Sequence, residues 1–537
     1  MHFRSIAYDA KSKIWSNSSP QTDYFAPDLS IGEIIFHEMR RHPQLIAQIS
    51  DTEKTILTRE NLQMNSMRVA SYMRKLRLQQ SDIVGIVGRN STHICAVAYA
   101  CFFNGIPYHS VIKEFKEETI KKAFGQTKPS LIFCDGDVYD KICAATANFK
   151  VKIITLTNHK INSLDIEQVL DTPIEKGFKP ARLEKGIDQT LAILCTSGTT
   201  GFPKAVTISN SRKIFTSSDN LTTADVQYAY TTLEWIGGLH TIVSSGVYST
   251  TRIIADDEFD PSRELHRIEK YKVTWWRLSP IMVIGLEKTE KFHKTNFASV
   301  DYCIIGGDRC PVPVVERFRN RLKAKSVALT YGLSEFGFMV TTNFHLDIKP
   351  TSVGCLQCGY KLKILDEQGK ILGPNEVGEV LMYSGQYWGG YYGNPEETQR
   401  VYDSERWYHT GDMGYVDNDG FLYIIDRKED MLRYNLSTYF PNEIQNVIEQ
   451  ISDVVEVCVF GLCMDANADI PAAVVVKKKG SKLQAQDVVD YVKEHVEENY
   501  KHMDGKVLIV ENLIRALGGK INRRVNKEYF LRVMNGN

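Results

Sequence analysis

Helix-length amphipathic segments, such as Ile31 to His42 and Asn61 to Leu78, alternate with short apolar runs: "DIVGIVG", "PSLIFCD", "KIITLT" and "TLAILCT". Runs this short and this apolar suit strands buried on both faces, and strands separated by helices tend to pair in parallel. The alternation therefore predicts an α/β fold of parallel-rich sheets covered by helices. "YCIIGGD", Tyr302 to Asp308, reads as another such strand, ending in a glycine pair where open α/β sheets place their ligands. "KLKILDEQGKILGPNEVGEVLMYSG" changes the rhythm to strand, turn, strand, which predicts a small β-rich subdomain. After "DGFLYIIDRKED" the pattern restarts with a helix, "PNEIQNVIEQI", two strands, "VVEVCVFGL" and "PAAVVVKKKG", and a helix, "AQDVVDYVKEHVEENY". That is a compact α+β unit, and 537 residues are more than one core ordinarily holds. The expected division is residues 1–426 and 427–537, with a hinge near Asp426 to Lys428.

Lys plus Arg and Asp plus Glu both number 65, so no global field draws the chain to nucleic acid or an anionic membrane. Any anion must be bound locally. The cysteines are odd in number and several lie in apolar stretches such as "HICAVAYACFF", which fits reduced thiols and a cytoplasmic setting. The pair Cys355 and Cys358 lacks the second pair or nearby histidine that a zinc site needs. The N-terminus has no apolar signal core, and the run Ile94 to Phe103 falls short of the roughly 20 residues that span a bilayer. The chain ends in "RVMNGN", not in a peroxisomal Ser-Lys-Leu type signal.

"TSGTTGFPKA", Thr196 to Ala205, stands between "TLAILC" and "AVTISN", so a hairpin loop is expected. A Walker loop would need Gly-Lys-Ser/Thr and a following helix; here Lys204 follows Pro203 and a strand comes next. The chemistry still suits phosphate. Gly198 and Gly201 let backbone N–H groups turn inward, Thr196, Ser197, Thr199 and Thr200 add hydroxyls, and Lys204 adds a charge. On composition alone, a solvated turn fits too.

"CTSGTTGFPKAV" resembles the phosphate-loop signature of the adenylate-forming superfamily, which includes acyl-CoA synthetases, 4-coumarate-CoA ligases and firefly luciferase. Four further stretches follow in the family's order: "LTYGLSEFG", "GYYGNPEET", "WYHTGDMGYVDNDGFLYIIDR" and "ALGGKINRR". The resemblance runs from about residue 30 to 530. It implies a large N-terminal AMP-binding domain, a small mobile C-terminal lid, and attack of a carboxylate on the α-phosphate of ATP. It also implies transfer of the acyl group to coenzyme A, with a hydrophobic fatty or aryl acid as substrate.

By the same resemblance, Glu335 is the magnesium ligand, Ser334 replaces a threonine beside the phosphates, and Tyr331 stacks on adenine next to Gly332. Asp412 accepts the ribose hydroxyls and Arg427 belongs to the same nucleotide site. Gly306, Gly307 and Asp308 stand where relatives carry Gly-Gly-Ala near adenine, which makes Gly306 a substrate-binding and Gly307 and Asp308 ATP-binding candidates, and Lys520 bridges carboxylate and α-phosphate. By that resemblance Trp235 falls roughly beside the acyl pocket, where Gly237 and Gly238 would leave room for a chain, whereas Trp275 and Trp276 read as core. Two departures bear on later steps. Arg433 and Leu436, flanking Asn435, hold the places of a Lys-x-x-Gly motif used in thioester formation, and Asn210 replaces a histidine. A degenerate nucleotide- or acyl-binding relative and a luciferase-like oxidase are the rival readings.

Overall fold

The computed structural model describes residues 6–19, 25–26, 28–161, 163–196, 204–211, 221–435, 437–465, 468–516 and 519–534. Ser197, Gly198, Thr199, Thr200 and Gly201 of the loop, and Leu436, lie outside the described residues.

The short apolar runs are strands. Val84–Val87, Leu131–Cys134, Lys152–Thr155 and Thr190–Thr196 join a seven-stranded sheet that is parallel except for one edge, where Lys204–Ser209 folds back antiparallel on Thr190–Thr196. A nine-stranded sheet runs parallel through its middle, from Ser326–Leu333 across Tyr302–Gly306 and Trp275–Leu278 to Ile46–Ser50, and antiparallel at both edges. The helix Ile94–Asn104 is apolar on every side and wholly buried, and it stops at Gly105, whose φ of +66° suits a residue without a Cβ. The helix Ile31–Arg41 starts at a reciprocal Ser30–Glu33 capping box.

The β-rich subdomain is a six-stranded antiparallel sheet. It recruits an N-terminal hairpin, Ile6–Asp9 and Ile14–Asn17, that the hydropathy pattern alone does not reveal. Residues beyond 430 form a five-stranded sheet with the helices Pro441–Ile448 and Ala485–His495 on one side and Arg523–Met534 on the other. The helix expected to reach Tyr500 stops at His495, and one 3-10 turn, Asn499–Lys501, follows. Trp275 stacks on Tyr302 at 4.5 Å, and Trp276 lies among Phe297 and Phe318, so this pair is core as expected.

Candidate functional site

Three sheets meet at the end of the 190–209 hairpin. In that hairpin Thr196 pairs with Lys204, where the strands diverge into the loop. Behind it His109 is fully buried, its Nδ1 2.8 Å from Thr127 Oγ1 and its Nε2 3.3 Å from Cys195 Sγ. Burial pushes its pKa down to about 3, so this imidazole is neutral and braces the strand. The second strand is tied to residues 389–392: Thr207 N–H donates to Gly390 O and Tyr392 N–H to Ala205 O.

Lys204, expected to bring a charge to the loop, is held by two partners. Lys204 Nζ contacts Glu397 Oε1 at 2.5 Å and lies 4.9 Å from the centre of the Tyr391 ring. Lys204 in turn lowers the Glu397 pKa, chiefly through this bond. The hydroxyl of Tyr391 donates to Glu335 Oε1 at 2.8 Å and lies 3.2 Å from the Tyr408 hydroxyl. Glu335 sits in the single turn Ser334–Phe336, which is closed by Gly337 at φ +81°. Lys204, Glu397, Tyr391 and Glu335 thus form one chain of contacts. Tyr391 and Glu397 belong to "GYYGNPEET", a stretch whose letters signal the family but not which side chains face the loop.

A second cluster lies across the site. Asp412, 4% exposed, is registered opposite Arg427 on the neighbouring antiparallel strand, and Arg427 Nε reaches its Oδ1 at 2.9 Å. The Tyr331 hydroxyl donates to Asp412 Oδ2, joining the nine-stranded sheet to the six-stranded one. Burial raises the Asp412 pKa; the nearby positive charges, first Arg427 and then Lys520, oppose that rise. Lys520 is exposed on a turn whose backbone closes through Ala516 N–H to Lys520 O. Lys520 is near enough to Asp412 for its charge to act on that carboxyl.

The glycines divide. A Cβ on Gly306 would lie 2.4 Å from Thr330 Oγ1, so that glycine serves the pairing of adjacent strands. Gly307 has φ +100° and open space around it, and Asp308 beside it is exposed. Gly332 is exposed on the strand that carries Tyr331. At Gly238 a Cβ would meet the Thr232 carbonyl oxygen at 1.9 Å, so the glycine admits a neighbouring backbone and does not make room for an acyl chain. Half-buried Trp235 precedes the helix Ile236–Val247, and its carbonyl accepts from Gly238 and Leu239 N–H. Its neighbour Glu234, which sequence reasoning passed over, is buried; Thr232 donates to Oε1, Oε2 has no partner among the described residues, and burial raises its pKa to about 7.

Arg433 is exposed on the hairpin Leu432–Tyr434 and Ser437–Tyr439, with Asn435 at φ +54° in the turn, and is not brought into either cluster. Asn210 is buried, and its side chain and backbone N–H both donate to Gln189 O, fastening the end of the hairpin. Among the described residues no group of three or more His, Cys, Asp or Glu is arranged to hold a metal, and no helix is long and apolar enough to cross a membrane.

Residues 35–392 match the family model "AMP-binding enzyme" and residues 443–520 the model "AMP-binding enzyme C-terminal domain". The chain is similar to a luciferin 4-monooxygenase of Photuris pensylvanica, 26% identical over 95% of this chain and 97% of the relative. It is also similar, at 26% identity and 97% of both chains, to a 4-coumarate–CoA ligase of Vanilla planifolia. The solved structure of the anthranilate CoA ligase AuaEII in complex with anthranoyl-AMP superimposes with a TM-score of 0.86, at 18% identity, over 96% of this chain and 99% of that one. The chain belongs to the AMP-binding enzyme family of the adenylate-forming superfamily, whose members include 4-coumarate-CoA ligases and luciferases.

Proposed function

We propose that this protein uses ATP to activate a hydrophobic fatty or aryl carboxylic acid as an acyl-adenylate, and then passes the acyl group to coenzyme A. The observation that carries the reading is the meeting of Asp412, Arg427 and Tyr331 within the field of Lys520, a residue far along the chain. An ionised carboxylate accepts hydrogen bonds only, as a ribose diol requires. Lys520 supplies positive charge where a carboxylate and an α-phosphoryl group would be pressed together. Lys204, kept near the loop by Glu397, is placed to exchange that partner for a phosphate of ATP.

One carboxylate, Glu335, suits magnesium, which keeps waters and binds nucleotide phosphates instead of a full protein cage. Bound there, the ion would neutralise charge on the departing pyrophosphate. Glu335 would be oriented for it by the Tyr391 hydroxyl. The division into residues 1–426 and a lid, 427–537, belongs to the same proposal. The lid segment carries its own apolar cores, and rotation about Asp426 to Lys428 would exchange Lys520 for the face bearing Arg433.

Pyrophosphate exchange with a panel of fatty and aryl acids tests the first step, and acyl-CoA formation tests the second. Exchange with at least one acid is expected; ATP binding that raises Tm with no exchange across the panel would leave a binding protein in its place. Proline at Lys428 should harm thioester formation more than exchange, and equal loss in both would remove the rotating lid from the account.

A further inference from the structure

Away from both clusters, a small cavity of about 10 Å³ lies where the helices Ile31–Arg41, Arg59–Lys75, Ile94–Asn104 and Ile236–Val247 approach the edge of the nine-stranded sheet. Two arginines line it, Arg59 and Arg252, with Cys95, Tyr99, Ser245 and Ser249, and among the described residues no carboxylate does. Arg59 is 2% exposed and Arg252 is 3% exposed. Part of each guanidinium is used: Arg59 Nη2 donates to the Ser249 carbonyl, just beyond the helix Ile236–Val247, and Arg252 Nη2 donates to Gln48 Oε1. The remainder is not. Arg59 Nε and Nη1, Arg252 Nε and Ser249 Oγ are buried with no hydrogen-bond partner among the described residues.

Buried donors left unpaired are costly, and buried cations without a counter-charge more so. The neutral neighbours do not supply one. The Tyr99 hydroxyl donates to Ile242 O at 2.8 Å, and burial holds both it and the Cys95 thiol above their ordinary pKa values. Glu38, whose charge reaches Arg59, pairs with Arg41 and does not line the cavity. A water would satisfy donors and leave two positive charges facing each other's field in a low-dielectric interior.

We propose that this cavity is a binding site for one small monovalent anion, a halide such as chloride, held by Arg59, Arg252 and Ser249. The space admits about one water-sized occupant, which a halide fits and a tetrahedral oxyanion does not. The anion would tie together Arg59, at the start of its helix, Ser249, and the strand Thr251–Ile254. It stabilises the large N-terminal unit without entering the chemistry.

The test uses the full chain at fixed ionic strength. Crystals grown in gluconate and transferred to 100 mM bromide should show a bromine anomalous peak within hydrogen-bond reach of Arg59 Nη1 and Arg252 Nε. Tm in 100 mM chloride should exceed Tm in 100 mM gluconate by about 2 °C or more for millimolar affinity. Arg252→Gln should abolish that difference. No bromine peak in the unmodified protein overturns the proposal, and so does a peak accompanied by equal Tm values in the two salts. Both readings stand on the unmodified chain even where the variant does not fold.

Discussion

The interior of the C-terminal unit and the seam between that unit and the rest of the protein are built from opposite materials. Inside, Ile444, Ile448, Val459, Ala473, Val475 and Val488 are completely buried and wholly apolar. The seam is polar. Arg309, two residues past the glycine pair, makes a bidentate bridge to Glu449, 2.7 and 2.6 Å, and also donates to Asn446. Arg523 crosses to Asp426 while also holding Asp430 and Asn442 of its own unit, and Lys288 approaches Glu456 at 4.0 Å. Apolar interiors gain stability without direction, whereas ion pairs near solvent hold a geometry at small net gain and can be exchanged for water. The contrast fits the proposed lid, a unit held together by its own core and attached through contacts that water can replace.

The sharpest way to break that comparison is at the chemistry the seam delivers. Lys520→Ala should lower the pyrophosphate-exchange rate by about 10²- to 10³-fold, by analogy with loss of a charge-stabilising donor, while circular dichroism melting stays unchanged. A large fall in Tm would mean that Lys520 is structural. Next is the interior: Ile444→Ala should cost about 3 kcal/mol in denaturant unfolding of the C-terminal unit, through lost burial and a residual cavity. A cost below about 1 kcal/mol would show that this core is looser than its burial indicates.

Glu234 is a polar exception within the large unit, and its pH response sharpens the contrast. Its folded pKa, about 7, lies above the ordinary value of 4.5, so the folded state holds the proton more tightly. The stabilising contribution is full below pH 4.5 and is lost as pH rises through about 7. Glu234→Gln should remove on the order of 3 kcal/mol of that decline, measured by urea unfolding at pH 5 and pH 8. Identical pH slopes in the two proteins would place the titration elsewhere. The smallest effect is expected at the seam itself. Arg309→Gln should change stability by about 1 kcal/mol or less and alter the ratio of thioester formation to adenylation more than either Tm or acid affinity. An unchanged ratio would deny the bridge a part in the release.

Much of the architecture was legible because strands buried on both faces must be apolar along their whole length. "LIFC", "VGIV" and "TLAILCT" therefore reveal themselves without neighbours. The N-terminal hairpin did not, because Ile6–Asp9 is a partly exposed edge strand and the further partner of Ile14–Asn17, Lys361–Leu365, is far away in sequence. The same limit applies to the site. "TGD" and "DRKED" point to Asp412 and Arg427, and the antiparallel register sets them opposite one another. The pairing of Lys204 with Glu397 depends on how two sheets meet, which no local pattern encodes. Gly238 was read as open space because its letter allows that; only the Thr232 carbonyl behind it shows the backbone that requires it.

The turn bearing Lys520 rests on the helix Pro280–Glu287 at Gly519, where an added Cβ would stand 3.0 Å from Ile281 Cγ2 and the backbone has φ +80°. If Lys520 advances as proposed, that contact would act as a depth gauge, and trimming or enlarging the aliphatic tip at 281 would retune how far the ammonium reaches.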